Sequence, residues 1–148
     1  MQKGKVLAVN ISEKKGVVKT PIEVGTFIED FGLQGDAHAG KGIRQVSLLG
    51  RESYLKYKDR EIKGLCDGKF AENITTEGII LYELPVGTLL KIGETIQQVT
   101  KIGKDCHAGC EIQKLVGICI MPREGIFTRV IKGGLVKAGD EIEVLSNE

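Results

Sequence analysis

The sequence contains no tryptophan, and aromatic residues make up only 5% of its 148 positions. Proteins that hold single-stranded nucleic acid stack its bases on aromatic side chains, so this scarcity disfavours nucleic-acid binding. The formal net charge is only +1, and the chain therefore lacks a field of one sign that would draw it to DNA or to an acidic membrane. We expect neither nucleic acid nor a membrane as a partner.

Long apolar runs are also missing. The N-terminal apolar run ends after Val6–Val9, which is too short for the core of a signal peptide, and no stretch approaches the length of a membrane span. These features predict a cytoplasmic location. In that compartment the 4 cysteines indicate free, catalytic or metal-binding thiols more than a disulfide framework.

The remaining composition is that of one globular domain. Apolar residues make up 41% and charged residues 28%, and a chain of 148 residues can build one hydrophobic core. No linker rich in proline and serine interrupts it. We therefore expect a single domain over residues 1–148.

Twenty glycines divide the chain into short segments, as turns between strands do. Segments rich in Val and Ile are predicted to be strands: Lys5–Ile11, Gly16–Lys19 and Gln45–Leu49, with Gly25–Phe31 extending the set. Tyr54, Leu55 and Lys58 stand at helical spacing and predict a helix over Arg51–Arg60, and a second short helix is expected over Glu111–Val116. The pattern predicts a mostly β, barrel-like fold with one or two short helices.

The second half of the chain contains a partial repeat. Residues 87–96 match residues 133–142, with Gly, Leu, Lys, Gly and Ile recurring in register. A single pair of repeats does not indicate a solenoid. It predicts two similar hairpin corners within a β-barrel.

Cysteine and histidine are concentrated in Gly103–Cys110, which holds two of the 4 cysteines and one of the 2 histidines. Lys104 and His107 place positive charge beside Cys106, and positive charge favours the thiolate, the reactive form of cysteine. We interpret Cys106 as a nucleophilic or sulfur-carrying residue, with His107 or His38 orienting or deprotonating its thiol.

Three other interpretations of this stretch remain open. In the first interpretation, the thiols are inert surface groups. In the second, Cys106 and Cys110 form a disulfide, which requires a tight turn or a helix. In the third, Cys106, His107 and Cys110 bind zinc, but they supply at most three of four ligands, and nothing in the sequence places His38 beside them.

The loop Gly35–Gln45 is the second candidate for function. Small residues let backbone amides approach a ligand, and turned amides form anion-binding nests. Lys41 and Arg44 add positive charge, and arginine suits bidentate phosphate recognition. The alternative is a solvated surface turn, because the loop has neither Walker nor Rossmann spacing.

Two weaker candidates follow. Glu72 and Asn73 stand in a segment rich in hydrogen-bonding groups. They either contact a ligand or form hydrogen bonds to the backbone of a turn at a strand end. Arg123 either binds phosphate or pairs with a carboxylate such as Glu124.

Taken in order, these segments resemble the MOSC family, named after the C-terminal domain of molybdenum-cofactor sulfurases. The resemblance is carried by Gly35–Gly40, Arg44–Leu49, Phe70–Thr76, Leu84–Gly87 and Cys106, and it extends from about Gly4 to Val144. It is strongest to the small stand-alone members and to MOSC domains that are joined to molybdopterin-biosynthesis domains. The resemblance implies a β-rich barrel and a protein that handles the molybdenum cofactor, molybdopterin.

The resemblance also implies roles for individual residues. The family cysteine that carries sulfur as a persulfide, or contacts the cofactor, corresponds to Cys106, whereas Cys110 need not be shared by other branches. The expected catalytic pair is Cys106 with His107, and the expected cofactor-binding residues are Asp36, His38, Lys41, Arg44, Glu72, Asn73, Cys110 and Arg123. No site for a resident metal ion is expected.

Full sulfurases carry a pyridoxal-phosphate desulfurase domain, and we expect no pyridoxal-phosphate site in these 148 residues. Sulfur would then come from a separate cysteine desulfurase, and a molybdoenzyme is the expected recipient. Two alternatives remain. One is a module that delivers cofactor and performs no chemistry, and the other is a small Cys/His metal-binding domain.

Overall fold

The computed structural model of the protein describes residues 3–13, 19–37, 39–40, 42–50, 72–102 and 125–146. Both predicted helices lie outside these residues, as does most of the strand expected at Gly16–Lys19. The same is true of six candidate site residues: His38, Lys41, Cys106, His107, Cys110 and Arg123.

Almost all the regular structure in the described part of the chain is β-strand. The strands are β1 (Lys3–Ile11), β2 (Thr20–Ile22), β3 (Val24–Ile28), β4 (Gly32–Leu33), β5 (Val46–Gly50), β6 (Ile74–Glu77), β7 (Leu89–Ile92), β8 (Thr95–Ile102), β9 (Ile126–Lys132), β10 (Gly134–Lys137) and β11 (Glu141–Ser146). Helix in these ranges is limited to a single 3₁₀ turn, Leu81–Glu83. No helix among the described residues is both long enough and apolar enough to cross a membrane.

Seven strands form a closed barrel in the order β11-β7-β8-β9-β5-β6-β1. The barrel closes where β1 pairs antiparallel with β11, Lys3 lying opposite Glu143. β5 and β6 are parallel, with Leu48 opposite Ile74, whereas the other neighbours in the barrel are antiparallel. The prediction of a mostly β, barrel-like fold is confirmed.

The hydrophobic core fills the barrel because alternate side chains of each strand point inward. Buried residues of several strands pack into one cluster that includes Val6, Val9, Val46, Leu48, Ile74, Leu90, Ile92, Val99, Ile126, Val130 and Ile142. Polar side chains interrupt it on β8 and β9, where the Thr128 hydroxyl donates to Gln97 Oε1 at 2.5 Å and Gln97 Nε2 donates to Thr95 at 3.0 Å. These bonds satisfy the buried polar groups, which would otherwise destabilise the core.

A second sheet, in the order β10-β3-β4, packs beside the barrel. The predicted repeat explains how the barrel and this second sheet are joined. At the first copy β7 and β8 form the expected hairpin, with Gly93 at φ 55° in its turn. At the second copy the corner residues join β10 of the small sheet to β11 of the barrel, so this corner connects two sheets and is not a hairpin.

Candidate functional site

The Asp36 carboxylate lies inside the protein, where it joins three segments. Its Oδ1 accepts a hydrogen bond from the Lys19 ammonium at 2.7 Å and another from the Ser12 N–H at 3.0 Å. The side chains of both Lys19 and Asp36 are fully buried. Lys19 Nζ also donates to Ser12 Oγ at 2.9 Å. We call this group of Ser12, Lys19 and Asp36 the buried clamp.

Beyond the buried clamp the glycine-rich loop turns towards solvent. Ala37 N–H donates to Ser12 O at 2.8 Å and Gly40 N–H to Phe31 O at 2.7 Å, which fixes the first half of the loop. Gly40 and Gly42 then adopt φ values of 150° and 130°, which disfavour side chains. Among the described residues, no heavy atom lies within 4 Å of the place that a Cβ would take at either glycine. The described part of the protein therefore leaves the backbone at these two glycines uncovered.

The end of the loop is fixed by Gln45, which is fully buried. Its Nε2 donates to Asp30 Oδ1 at 2.9 Å and to Gly42 O at 3.1 Å, and its Oε1 accepts from the Val130 N–H at 2.9 Å. The loop is thus held at Gly40 by the turn between β3 and β4, and at Gln45 by that turn and by β9 of the barrel.

Arg44 is exposed, and its guanidinium lies over the ring of Phe127, with Cζ 5.9 Å from the ring centroid. A cation at this distance is attracted by the ring quadrupole. The loop is also attached to β8, because the Thr100 hydroxyl, which has one hydrogen to donate, lies within hydrogen-bond distance of both Ile43 O and Phe127 O. Arg44 is therefore held near the last residue of β8, Ile102, which is paired with Ile126 at the start of β9.

Glu72 and Asn73 lie in a buried polar network at the start of β6. The Asn73 carboxamide oxygen accepts from the Ser47 N–H at 3.0 Å and from the Ser47 hydroxyl at 3.1 Å, and Asn73 Nδ2 donates to Asn10 O at 3.3 Å. The Thr75 hydroxyl donates to Glu72 Oε2 at 2.8 Å. These contacts match the interpretation in which polar side chains satisfy a strand end.

Several residues of this site were not predicted. Lys19, Asn10 and Gln45 are buried and carry hydrogen bonds that hold the loop and the strand ends. Lysine and asparagine are most often exposed, so the one-dimensional sequence offered no signal for their burial. Gln45 was assigned both to the end of the glycine-rich loop and to the start of the strand Gln45–Leu49, but no role was predicted for its side chain.

Among the described residues no group of three or more His, Cys, Asp or Glu side chains is arranged to hold a metal ion. The predicted cysteine and histidine candidates for a metal site lie outside these residues. In the described part, the loop presents the backbone at Gly40 and Gly42 and the exposed guanidinium of Arg44. Groups of these kinds are capable of binding anions.

Residues 35–143 match the sequence profile of the MOSC domain. The chain belongs to the MOSC family. The matched region includes the glycine-rich loop, the Glu72–Asn73 network and the Cys106 stretch. This membership confirms the resemblance noted in the sequence, and it associates the protein with the C-terminal domain of molybdenum-cofactor sulfurases.

Relatives show the same fold at low sequence identity. YflK of Bacillus subtilis is 23% identical over 143 residues, which cover 88% of this chain and 63% of YflK, so the MOSC chain is similar to only part of that relative. The crystal structure of YuaD from Bacillus subtilis has a TM-score of 0.76 at 19% identity and covers 99% of this chain and 97% of its own. The crystal structure of YiiM from Geobacillus stearothermophilus has a TM-score of 0.73 at 17% identity, and the match covers 96% of this chain and 75% of YiiM.

Zinc is not expected to be needed for folding of this MOSC domain. Burial of its continuous apolar core can drive the barrel to fold without a metal ion. The sequence of the Cys106 stretch also lacks a convincing fourth ligand for zinc. We expect metal analysis to find no stoichiometric zinc, and thermal melting to be the same with and without a chelator. Stoichiometric zinc whose removal unfolds the protein would instead favour the Cys/His metal-binding alternative.

Proposed function

We propose that this MOSC protein binds molybdopterin through its phosphate at Gly40–Arg44 and carries sulfur as a persulfide on Cys106. The observation that carries the proposal is the position of Arg44. Its guanidinium lies over Phe127, next to the residue at which β9 begins. Cys106 belongs to the chain segment that connects the end of β8 to the start of β9, so the chain connection itself favours one shared site.

The number of residues between β8 and Cys106 limits how far Cys106 can lie from the glycine-rich loop. Cys106 follows Ile102 by four residues, and four extended residues span at most about 14 Å. Thr100, two residues before Ile102, contacts the loop at Ile43. This limit on the separation of Cys106 from Ile102 supports one shared site for Cys106 and an anion bound at the loop.

The described residues fit a phosphate monoester. No described residue covers the backbone of Gly40 or Gly42, so an anion can approach it without meeting a side chain of the described part of the chain. Arg44 presents several N–H donors in one plane, which suits bidentate binding to phosphate oxygens. Lys41 adds a positive charge between the two glycines in the sequence. What the bound cofactor would supply is a metal centre that accepts a sulfur ligand.

The sulfur step is a transfer between thiols. The Cys106 thiolate attacks the outer sulfur of a persulfide on a separate cysteine desulfurase, a new S–S bond forms at Cys106, and the donor cysteine leaves as its thiolate. No net oxidation occurs in this exchange. His107 takes the thiol proton before the attack, and Lys104 favours the anionic form.

The cofactor-binding half of the proposal is tested by titrating molybdopterin into Arg44→Ala. We expect affinity to fall about tenfold or more, since a charge-assisted contact is lost. The loss should be steeper at low salt, where charge interactions are screened least. Arg129→Ala is the matched control, because Arg129 is also an exposed arginine but lies in the middle of β9, not on the loop.

Equal affinity in Arg44→Ala and wild type would remove Arg44 from the site. Binding of molybdopterin together with a failure to load sulfur under any donor would favour the delivery module over the sulfur carrier.

Cys106 is expected to be the most reactive of the 4 thiols, because it has glycine and cationic neighbours. Limited alkylation followed by peptide mapping ranks the four cysteines. Cys66 stands directly between Leu65 and the acidic Asp67, and Cys119 lies between isoleucines, so both should label slowly. First labelling at either of them would contradict the assignment of the carrier to Cys106.

A further inference from the structure

Lys19 occupies an unusual position for a lysine, since its side chain is fully buried beside an equally buried aspartate. Removing two charges from water is costly, and replacement of a buried ion pair by apolar residues of similar volume is often neutral or stabilising. Stability alone is therefore a weak reason for a pair of this kind. The contacts of the buried clamp indicate what else it does.

The buried clamp joins segments that are distant in sequence. It connects Ser12, which follows the end of β1, to the residue before β2 and to the first turn of the glycine-rich loop. Ala37, next to Asp36, is bonded to the Ser12 carbonyl oxygen at 2.8 Å, which continues the connection along the backbone. The direction in which the loop leaves the barrel is thus set by this cluster.

The charge of Lys19 has a second consequence. Asp36 lies four residues before Gly40, and its carboxylate would repel an anion bound there if no cation compensated it. With the ammonium 2.7 Å away, the two charges act as a dipole whose field falls off quickly. The positive charges of Lys41 and Arg44 then act on an anion with little opposition from Asp36.

We propose that the Lys19–Asp36 pair is a positioning device for the anion-binding stretch Gly40–Arg44, so that Lys19 controls affinity for the anionic cofactor without touching it. The proposal rests on the function proposed above. It also assigns Asp36, which the sequence indicated as a cofactor-binding residue, to holding the loop in place. Both residues are positioning residues, not catalytic ones.

Two double variants distinguish an effect on the position of the anion-binding stretch from an effect on the stability of the fold. Lys19→Gln/Asp36→Asn removes both charges but keeps a donor at position 19 and an acceptor for the Ser12 N–H. Lys19→Met/Asp36→Leu fills similar volume and removes every side-chain hydrogen bond of the pair. Leu90→Ala is the control for stability, because Leu90 is a buried core residue on β7, a strand that pairs with β8 and β11 and not with β1 or β5.

Affinity for molybdopterin, and for pyrophosphate as a simple anionic probe, is measured at a temperature where circular dichroism shows every variant to be folded. We expect the amide double variant to stay within about threefold of wild type and the apolar double variant to lose at least about tenfold, since small displacements of binding groups are costly. Leu90→Ala should melt at a lower temperature and bind as wild type does.

The outcomes distinguish the two proposals. If wild type binds neither molybdopterin nor pyrophosphate, the proposed function fails and the positioning role fails with it. If wild type binds and the folded apolar double variant binds equally well, only the positioning role is overturned. If Leu90→Ala loses as much affinity as the apolar double variant, the effect is one of stability and the positioning role is again overturned.

Discussion

Cys106→Ser is expected to bind molybdopterin almost as wild type does and to load no sulfur. Serine keeps the size and a hydroxyl but cannot form a persulfide, because the transfer requires a thiolate that becomes the inner sulfur of the new S–S bond. The phosphate contacts proposed for Gly40–Arg44 do not involve this side chain. Sulfur loading should therefore be lost completely, whereas the affinity for molybdopterin should change very little.

The measurement is a sulfur-transfer reaction with a cysteine desulfurase and free cysteine, read by the mass increase of the intact MOSC protein. Cys110→Ser is the matched control, since it removes the other thiol of the same stretch. We expect Cys110→Ser to load normally. Full loading of Cys106→Ser, or loss of loading only in Cys110→Ser, would move the carrier role away from Cys106.

Asn73→Ala is expected to lower the free energy of unfolding by about 3 kcal/mol, because three buried hydrogen bonds lose a partner. Asn73 is fully buried, and its carboxamide serves the backbone of both Ser47 and Asn10. Alanine removes the acceptor of the Ser47 N–H and leaves a small cavity. In a domain of this size the melting temperature should fall by about 10 °C.

Denaturant titration and thermal melting measure this effect. Thr26→Ala is the control, because Thr26 is an exposed strand residue on β3 and should change stability by no more than about 0.5 kcal/mol. An Asn73→Ala protein as stable as wild type would show that the network contributes no net stability. Asn73 would then be better explained as a ligand contact.

Local patterns predicted much of the sheet. The strand expected at Lys5–Ile11 is β1, and the one at Gln45–Leu49 is β5, because both are short runs of Val, Ile and Leu bounded by turn residues. Gly25–Phe31 extends too far, since β3 ends at Ile28 and the chain then turns. The first corner of the repeat was predictable for the same reason, because Gly93-Glu94 is a turn signal between two alternating segments.

The site was harder to predict because its contacts are long-range. Asp36 and Arg44 were recognised by residue type, but the pairing of Asp36 with Lys19 depends on how β1 and the loop pack together. The same holds for Asn73, which meets Ser47 only after β5 and β6 align in parallel and meets Asn10 only after β1 pairs with β6. Residue type indicated which groups are capable of chemistry, and the fold decides which of them are satisfied by neighbours.

The pairing of β1 with β11 has a consequence for how the chain folds. β1 begins at Lys3 and β11 ends at Ser146, so the final seam of the barrel joins segments separated by almost the whole described sequence. Such distant pairing is slow, because the entropy of closing a long loop is lost before the contacts form. During synthesis on the ribosome, the edge of β1 that meets β11 has to wait for the last strand to emerge. Charged residues on that edge, Lys3 and Lys5, would help keep the waiting strand from pairing with other chains.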